Sequence, residues 1–487
     1  MGTLVATYLV RSRAQVRTWI RAGRPLGTGS ILMVSDAIAL VGAGWLGVAL
    51  WQLFNPLIGL EFYLNLWPAL GVFLLVYALS GLYPGVGLGP VEELRRTAQG
   101  TTLVYLVASA SIFLTKEAAL HSRGVFVCSW FFSLWLVPLG RSLARWLYAA
   151  KPWWGVPVMV LGAGEAGRMV VERLQQQPGL GWKPVAFLDD EEAKGAEETG
   201  IPVAGPLALA ADLARSHGIR HALVAMPHLK RQELLQVLER MGTIFSHVIV
   251  VPDLLGMASL WVSTRDLGGV LGLEIRQNLL SPVNRWLKRA LDLAVASAAG
   301  LVSLPLIALA VLWIKRVSPG PAFYCQERDG EGGKTIRVRK LRTMHLNSEM
   351  LLLRYLEGDA DARDEWQRYF KLKKDPRVLP GIGHLLRRTS LDELPQLWNV
   401  LKGEMSLIGP RPFPCYHLEQ FDAEFRALRG RVPTGLTGLW QVSARSNGDL
   451  KVQEALDTYY IRNWSLWLDV HILARTVKTV LLRSGAY

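Results

Sequence analysis

Two adjacent carboxylates, Asp392 and Glu393, stand in the stretch Thr389-Ser390-Leu391-Asp392-Glu393-Leu394-Pro395, directly after the basic pair Arg387-Arg388. Pro395 fits only the first turn of a helix, which makes Asp392 a natural N-cap with Glu393 behind it. That position also gathers partial positive charge and favours anions. A carboxylate there, flanked by guanidinium groups, is expected to be ionised and so to serve as a nucleophile or a metal ligand; a plain helix cap is the alternative. Downstream, Ile408-Gly409-Pro410-Arg411-Pro412 holds one arginine between two prolines. A pre-set backbone suits a bidentate arginine–phosphate contact, and an exposed turn arginine is the alternative. Gly435-Leu436-Thr437-Gly438-Leu439-Trp440-Gln441 reads as a flexible loop with a stacking face and amide donors for a base or a sugar, or else as a buried tryptophan beside a hairpin.

Two basic clusters frame this chemistry. Lys334, Arg337, Arg339, Lys340 and Arg342 lie on a strand over 334–342, and Lys371, Lys373, Lys374, Arg377, Arg387 and Arg388 follow a polar helix near 346–370. Taken alone, such clusters are solvated faces or anionic-lipid contacts. The end of the chain, from Leu456-Asp457 through Asn463-Trp464 to Trp467 and Asp469, suits a tryptophan-bearing helix lying in a membrane interface.

The elements that must position these residues include membrane segments. The 487 residues are 51% hydrophobic and 19% charged, with 54 Lys+Arg against 40 Asp+Glu. Disorder is excluded, an ordinary soluble enzyme is disfavoured, and the basic excess calls for anionic partners. Ile31–Trp51, Phe62–Tyr83, Thr97–Thr115 and Gly124–Gly140 each lack charge, Asp36 aside, for long enough to span a bilayer core of about 17–25 residues. Short loops predict a four-helix transmembrane bundle over 29–147, after a basic cytoplasmic segment 1–28. Arg11, Arg13, Arg17, Arg21, Arg24, Arg95, Arg96, Arg141, Arg145 and Lys151 all fall on one side, which predicts that the chain after 141 is cytoplasmic. No cleaved signal peptide is expected. Cys128, Cys325 and Cys415 show neither metal spacing nor an even disulfide set.

A fifth apolar run, Leu287–Ile314, is collared by Lys288-Arg289 and Lys315-Arg316 and carries Asp292 and Pro305. Pro305 lacks an N–H and clashes with the carbonyl of Leu301, so a kink is expected there. Over 279–320 this reads as a re-entrant helix that dips into one leaflet; a plain fifth span is the alternative.

Between the bundle and the fifth run, a strand at 156–161 leads into Gly162-x-Gly164-x-x-Gly167, and a second strand, Val185–Leu188, ends in Asp189-Asp190. A helix near 206–217, a strand at His221–Met226, a helix at 230–241 and a strand at His247–Val251 follow. The alternation predicts a Rossmann-like α/β domain with a parallel sheet over 150–278. The glycines either hold a dinucleotide phosphate or let helix pack on strand. A reductase or epimerase also needs a proton donor, and the Tyr369–Lys373 pair lies far outside this sheet. The domain is therefore expected to be structural, regulatory or dimerising.

Lys288-Arg289-x-x-Asp292-Leu before a proline-bearing apolar helix, Ser318-Pro-Gly-Pro321, Gln326-Glu-Arg328, Lys340-Leu-Arg-Thr-Met344, Asp392-Glu-Leu-Pro-Gln396, Lys402-Gly-Glu-Met-Ser406 and Gly409-Pro-Arg-Pro412 form one ordered set. The set resembles the bacterial sugar transferase family, the monotopic polyprenol-phosphate phosphoglycosyl transferases, in its large membrane-anchored form. The resemblance implies a catalytic domain over 321–487 and a covalent route. Asp392 would attack the β-phosphorus of a UDP-sugar and release UMP. Undecaprenyl phosphate would then accept the sugar phosphate, the initiating step of O-antigen, capsule or exopolysaccharide synthesis. It further implies that Glu393 holds Mg²⁺, that Arg411, Arg387, Lys340 and Arg342 neutralise phosphate oxygens, and that Gly435, Thr437, Gly438 and Gln441 belong to a nucleotide and sugar loop. Asp457 matches an acidic position of the family. The Leu-Trp-Gln-Val-Ser loop, Asn463-Trp-Ser-Leu-Trp467 and the Ser-Gly-Ala-Tyr487 end resemble the galactose-transferring members; glucose 1-phosphate or an N-acetylhexosamine 1-phosphate are the alternatives. Leu304 before Pro305, Thr434 before Gly435, and Ala444 depart from the family pattern.

These expectations amount to an enzyme of the bacterial inner membrane with its catalytic domain on the cytoplasmic face. It is expected to form a homodimer, to contact membrane lipid and not to bind nucleic acid. The competing classes are a membrane-bound NAD(P)-dependent nucleotide-sugar dehydratase or epimerase, and a non-enzymatic scaffold of polysaccharide export.

Overall fold

The computed structural model describes residues 25–56, 67–114, 122–191, 196–251, 262–266, 271–275, 278–359, 362–364, 372, 375–414, 418–443 and 450–481. Arg11, Arg13, Arg17, Arg21, Arg24, the start of the second span, the Tyr369–Lys373 pair, Lys371, Lys374, Cys415, Ala444 and the 484–487 end lie outside the described residues. The chain divides into two compact units, residues 1–257 and 258–487.

The first unit opens with helices α1 (Pro25–Gln52), α2 (Trp67–Leu79), α3 (Pro90–Leu114) and α4 (Arg123–Tyr148). By length and hydropathy α1, α3 and α4 can each cross a membrane. The second expected span is described only as the shorter α2. Val34, Ile38, Trp45, Leu106 and Trp135 point outward from these helices, as lipid-facing residues do. Asp36, the lone charge of the first span, is fully buried. It pairs with Arg141 at 2.7 Å, and Arg141 also reaches Glu93 at 2.7 Å. Buried charges persist when paired in this way. Arg141 is therefore a bundle cross-link rather than only a basic residue at the end of a span.

A five-stranded sheet follows, with β1 (Val156–Leu161), β2 (Trp182–Leu188), β3 (Val203–Gly205), β4 (His221–Val224) and β5 (His247–Val250) in the order β3-β2-β1-β4-β5. All its pairings are parallel. Helices α5 (Glu165–Gln176), α6 (Ala210–His217) and α7 (Arg231–Gly242) connect the strands, and apolar clusters fill both faces. The expected elements are present within a few residues, with β3 the addition. Two of the three glycines serve the turn and the packing of helix on strand, whereas a Cβ on Gly164 would meet nothing within 4 Å. Gly162 has φ of +99°, and a Cβ on Gly167 would meet the Gly162 carbonyl at 2.0 Å. Asp189 accepts from the N–H of Ala163 (2.7 Å) and Asp190 from that of Leu207 (2.8 Å). Both carboxylates, which follow β2 where a dinucleotide's ribose ligand would stand, thus bind the protein's own backbone.

The second unit begins with the hairpin β6 (Val262–Asp266) and β7 (Leu271–Ile275), followed by α8 (Pro282–Val317). Helix α8 is also apolar enough to cross a membrane, and it continues through Pro305 as one element of 36 residues. At 1.5 Å per residue it is about 54 Å long, more than a hydrocarbon core of about 30 Å. Ser303 donates to the Gly300 carbonyl at 3.0 Å, so its hydroxyl does not replace the bond that Pro305 withholds from Leu301. Then come the antiparallel pair β8 (Phe323–Asp329) and β9 (Thr335–Leu341), α9 (Ser348–Gly358), α10 (Ile382–Thr389) and a 3-10 turn, Leu391–Gln396. Next are α11 (Leu397–Lys402), β10 (Ser406–Ile408), α12 (Ala423–Arg429) and β11 (Gly435–Thr437). The chain closes with α13 (Leu439–Ser443), α14 (Leu450–Asn463) and α15 (Leu466–Leu481).

A buried polar network ties α8 to the rest of this unit. Lys288 donates to Asp469 (2.8 Å) and to the Ile408 carbonyl (2.9 Å). Asp292 accepts from Ser406 Oγ (2.7 Å) and from the Leu407 N–H (3.1 Å). Asp469 also accepts from Tyr460 (2.9 Å) and Trp464 (3.0 Å). Arg289 caps the end of α11 through the carbonyls of Val400 and Leu401. Trp464 and Asp469 are thus internal, not the interfacial residues expected, because each satisfies a polar group of the other inside the unit.

Candidate active site

The basic pair before the carboxylates ends α10, where Ser390 takes a left-handed conformation (φ 56°) and turns the chain into the 3-10 segment. Ser390, not Asp392, holds the cap position, and no side chain caps the turn. Asp392 and Glu393 are therefore displayed on a tight turn, held from below by buried Pro395 and Gln396.

Glu393 is the hub. Lys340, near the end of β9, donates to its Oε1 at 2.7 Å, and Arg411 donates to the same oxygen at 3.0 Å. Arg411 arrives there because β10 pairs in parallel with β11, and Gly409 and Gly435 cross within backbone contact. A Cβ on Gly435 would meet Gly409 N at 2.0 Å, and one on Gly438 would meet the Gly409 carbonyl at 2.2 Å. The expected flexible loop is therefore a rigid ladder, and its glycines are there for close approach. Burial pushes the Glu393 carboxyl up, but Arg411 and Lys340 outweigh it and hold it at about 2. Asp392 differs. Burial and then the charge of Glu393 push it up to about 6, against the pull of Lys340, Arg387 and Arg411. It is ionised at neutral pH, but far less firmly than its arginine neighbours suggest. The neighbouring carboxylate takes the counter-charges first.

A narrow, water-sized cleft lies beside the hub, lined by Arg328, Lys340, Glu393, Gln396 and Arg411, with Gly435 and Leu436 on one wall and Asp392 outside its lining. Arg328 and Gln396 enter as site residues that sequence reading placed only within motifs; their positions two residues before β8 meets its turn and three after Glu393 carry no separate signal. Of the expected phosphate ligands, Lys340 and Arg411 meet here. Arg387 is close enough to feel the charge of Asp392, yet its Nε donates to Thr343 (3.0 Å), and Asp375 stands 3.9 Å away. Arg342 does not join the site. It is 5% exposed and donates to the carbonyls of Ser318 and Pro319, at 2.6 and 3.1 Å, pinning the turn after α8. Residues two apart share a face along a strand, but β9 ends at Leu341, so Arg342 lies past the strand and does not share the face of Lys340.

Thr437 is buried, and its hydroxyl pairs with Thr476 at 2.8 Å. Gln441 is buried on α13, and Asp457 is buried on α14 behind the cleft. Thr434 is buried, with its hydroxyl 3.5 Å from the Asp329 carbonyl. Among the described residues, no three His, Cys, Asp or Glu side chains converge as a metal cage. Mg²⁺ commonly binds through one or two carboxylates plus substrate phosphates, and the ionised Glu393 beside Asp392 offers that donor set.

This order of motifs on this frame has counterparts. The family described as bacterial sugar transferase matches residues 283–483, and a CoA-binding domain family matches residues 78–252. A protein of Salmonella typhimurium, "Undecaprenyl-phosphate galactose phosphotransferase", is 36% identical over 404 residues, covering 81% of this chain and 82% of its own. The chain belongs to the bacterial sugar transferase family. A "UDP-galactose-lipid carrier transferase" of Erwinia amylovora is 34% identical over 80% of this chain and 81% of its own. A "UDP-glucose:undecaprenyl-phosphate glucose-1-phosphate transferase" of Escherichia coli K12 is 33% identical and covers 68% of both. The family match contains every residue of the cleft, and the second match contains the parallel sheet. With its long apolar helices, this bacterial sugar transferase is a membrane protein.

Proposed function

We propose that this protein transfers a sugar 1-phosphate, most readily galactose 1-phosphate, from a UDP-sugar to undecaprenyl phosphate and releases UMP. The observation that carries the reading is the meeting of Lys340 and Arg411 on Glu393, one residue from a half-buried Asp392 that is free of their direct bonds. An oxygen of the Asp392 carboxylate attacks the β-phosphorus in line. The bond from that phosphorus to the bridging oxygen breaks, and UMP leaves with the electron pair. A phosphate oxygen of undecaprenyl phosphate then attacks the same phosphorus, freeing Asp392 and leaving the lipid-linked diphosphate sugar. Lys340 and Arg411 offset charge on the phosphate oxygens, aided by Arg328. Glu393 is the residue that would hold Mg²⁺, which when bound neutralises diphosphate charge.

Helix α8, with Leu301, Val302 and Leu304 largely exposed, offers an apolar surface that supports lipid contact. A re-entrant course for it would keep the cleft on the cytoplasmic face, where nucleotide-activated sugars reside. The inner membrane is the corresponding location. A homodimer is the proposed state, with the parallel-sheet domain as the contact. The dehydratase or epimerase alternative loses ground because Asp189 and Asp190 are engaged by backbone.

The test is UMP release from a panel of UDP-hexoses by full-length protein in lipid nanodiscs, with and without undecaprenyl phosphate, Mg²⁺ and EDTA. Sustained release that requires both lipid phosphate and metal, fastest with UDP-galactose, with no more than one UMP per enzyme when lipid is left out, is expected. Release with neither lipid nor metal, or none with any UDP-hexose, would overturn the assignment.

A further inference from the structure

Prolines 410 and 412 set φ on either side of Arg411 but leave its carbonyl and its neighbours' polar groups to be satisfied from elsewhere. The satisfaction comes from a buried charge cluster that lines no part of the cleft. Arg429, at the end of α12 and 3% exposed, donates Nη2 to the Arg411 carbonyl. Its guanidinium lies over the Phe413 ring, 4.2 Å from the centroid. Asp329 stands 3.3 Å from Nη2, and Asp457 stands 3.6 Å from Nη1. From the opposite side the Asp329 N–H donates to the Phe413 carbonyl at 2.9 Å, and its carboxylate accepts the Phe413 N–H. Arg328 adds a bond to the Pro412 carbonyl at 3.3 Å. Arg411 and Phe413 are thus held from this cluster, and Arg328, on the cleft wall, steadies Pro412 between them.

We propose that Arg429, seated between Asp329 and Asp457, is a positioning residue for Arg411. Through the Arg411 carbonyl and the face of Phe413 it fixes the backbone from which the Arg411 guanidinium reaches Glu393 and the donor phosphates. The proposal rests on the transferase reading for its kinetic arm. It gives Asp457 a role one layer behind the cleft, as counter-charge to Arg429. Asp329 and Asp457 flank the guanidinium at ion-pair distance, Asp457 Oδ2 and Arg429 Nη1 without a hydrogen bond, and its removal leaves two buried carboxyl groups facing each other without compensation. Nothing local in the sequence announces the group, since its members lie in β8, α12 and α14.

The test is a double-mutant cycle on the full-length protein in nanodiscs, with hydrogen exchange on the same samples. R411Q alone is expected to lower kcat/KM for UMP release by about 100-fold, the usual loss for one transition-state donor. R429Q alone is expected to cost about 10-fold or more, but less than about 3-fold when added to R411Q, because it acts through the same group. Exchange in the peptide spanning 408–414 should quicken in R429Q while β1–β5 remain as protected as in the parent. D457N, milder in volume and polarity, should repeat both signatures more weakly, and it decides the case if R429Q does not fold. Additive kinetic losses, or unaltered exchange at 408–414, would overturn the positioning role. If the parent releases no UMP, the functional reading fails, and the exchange arm still decides whether Arg429 holds the loop.

Discussion

Replacing Asp392 by Asn should abolish turnover and at the same time stabilise the second unit at neutral pH. The carboxyl is pushed from 3.8 up to about 6, first by burial and then by Glu393. Because the folded value lies above the unfolded one, the ionised carboxylate opposes folding at any pH above about 6, and that penalty disappears as pH falls below 3.8. About two units at 1.36 kcal/mol each make about 3 kcal/mol at pH 7.5, and water in the cleft trims this to about 1–3 kcal/mol. In a unit of this size each kcal/mol moves Tm by about 2–4 °C, so D392N should melt about 2–12 °C higher at pH 7.5, the gain shrinking as the pH is lowered toward 4. Asn is nearly the same size and shape as Asp, so the comparison isolates charge from packing. Thermal melts of purified protein across pH, set beside UMP release, measure both halves. A D392N protein that melts no higher at pH 7.5, or that still turns over UDP-galactose at the parental rate, would refute the assignment of Asp392 as a strained, charged nucleophile. The stabilised but inactive outcome is the ordinary exchange of stability for function at an active site.

Glu393→Gln should do the opposite: Lys340 and Arg411 hold its carboxyl at about 2, below its usual value of 4.5, so ionised Glu393 stabilises the fold above pH 4.5 and loses this contribution as pH falls toward 2. Melts at pH 7.5 should therefore drop by a few degrees in E393Q, with UMP release lost as well. The parent's kcat/KM should fall about tenfold per pH unit below about 6 as Asp392 takes up its proton, read from a pH–rate profile. Lys340→Gln should lower kcat/KM by about 100-fold and lower Tm by less than E393Q does, since Arg411 still pairs with Glu393, whereas Arg342→Gln should lower Tm and leave KM for UDP-sugar close to the parent's, since its donors serve Ser318 and Pro319. Gly438→Ala should lose folded protein, because its methyl would lie 2.2 Å from the Gly409 carbonyl; recovery of normally folded, active G438A would return this segment to the status of a flexible loop.

Much of the architecture is written in short-range pattern. The βα alternation, the glycine turn at 162–167 and the apolar runs depend on periodicity and on φ at single residues, so the parallel sheet and the long apolar helices can be read along the chain. So can the chemistry of the Asp392–Glu393 pair and of Arg411, because residue type and a rigid proline frame already restrict what they can do. What the linear order does not contain is which charges meet. Lys340 and Arg342 look alike on one strand, yet one turns to Glu393 across 53 residues and the other inward to Ser318. Lys288 finds Asp469 across 181 residues, which converts an interfacial-looking end into an internal clasp on α8. Arg429 and Asp329 gain their places only when β8, α12 and α14 pack. Such pairings are decided by burial, which makes each unpaired charge costly and lets the nearest opposite charge in space, rather than in sequence, satisfy it. The same competition left Asp392 under-neutralised beside Glu393. The sequence alone determined a pair of carboxylates with basic neighbours, and the tertiary structure decided which of the two keeps the counter-charges and which is left to react.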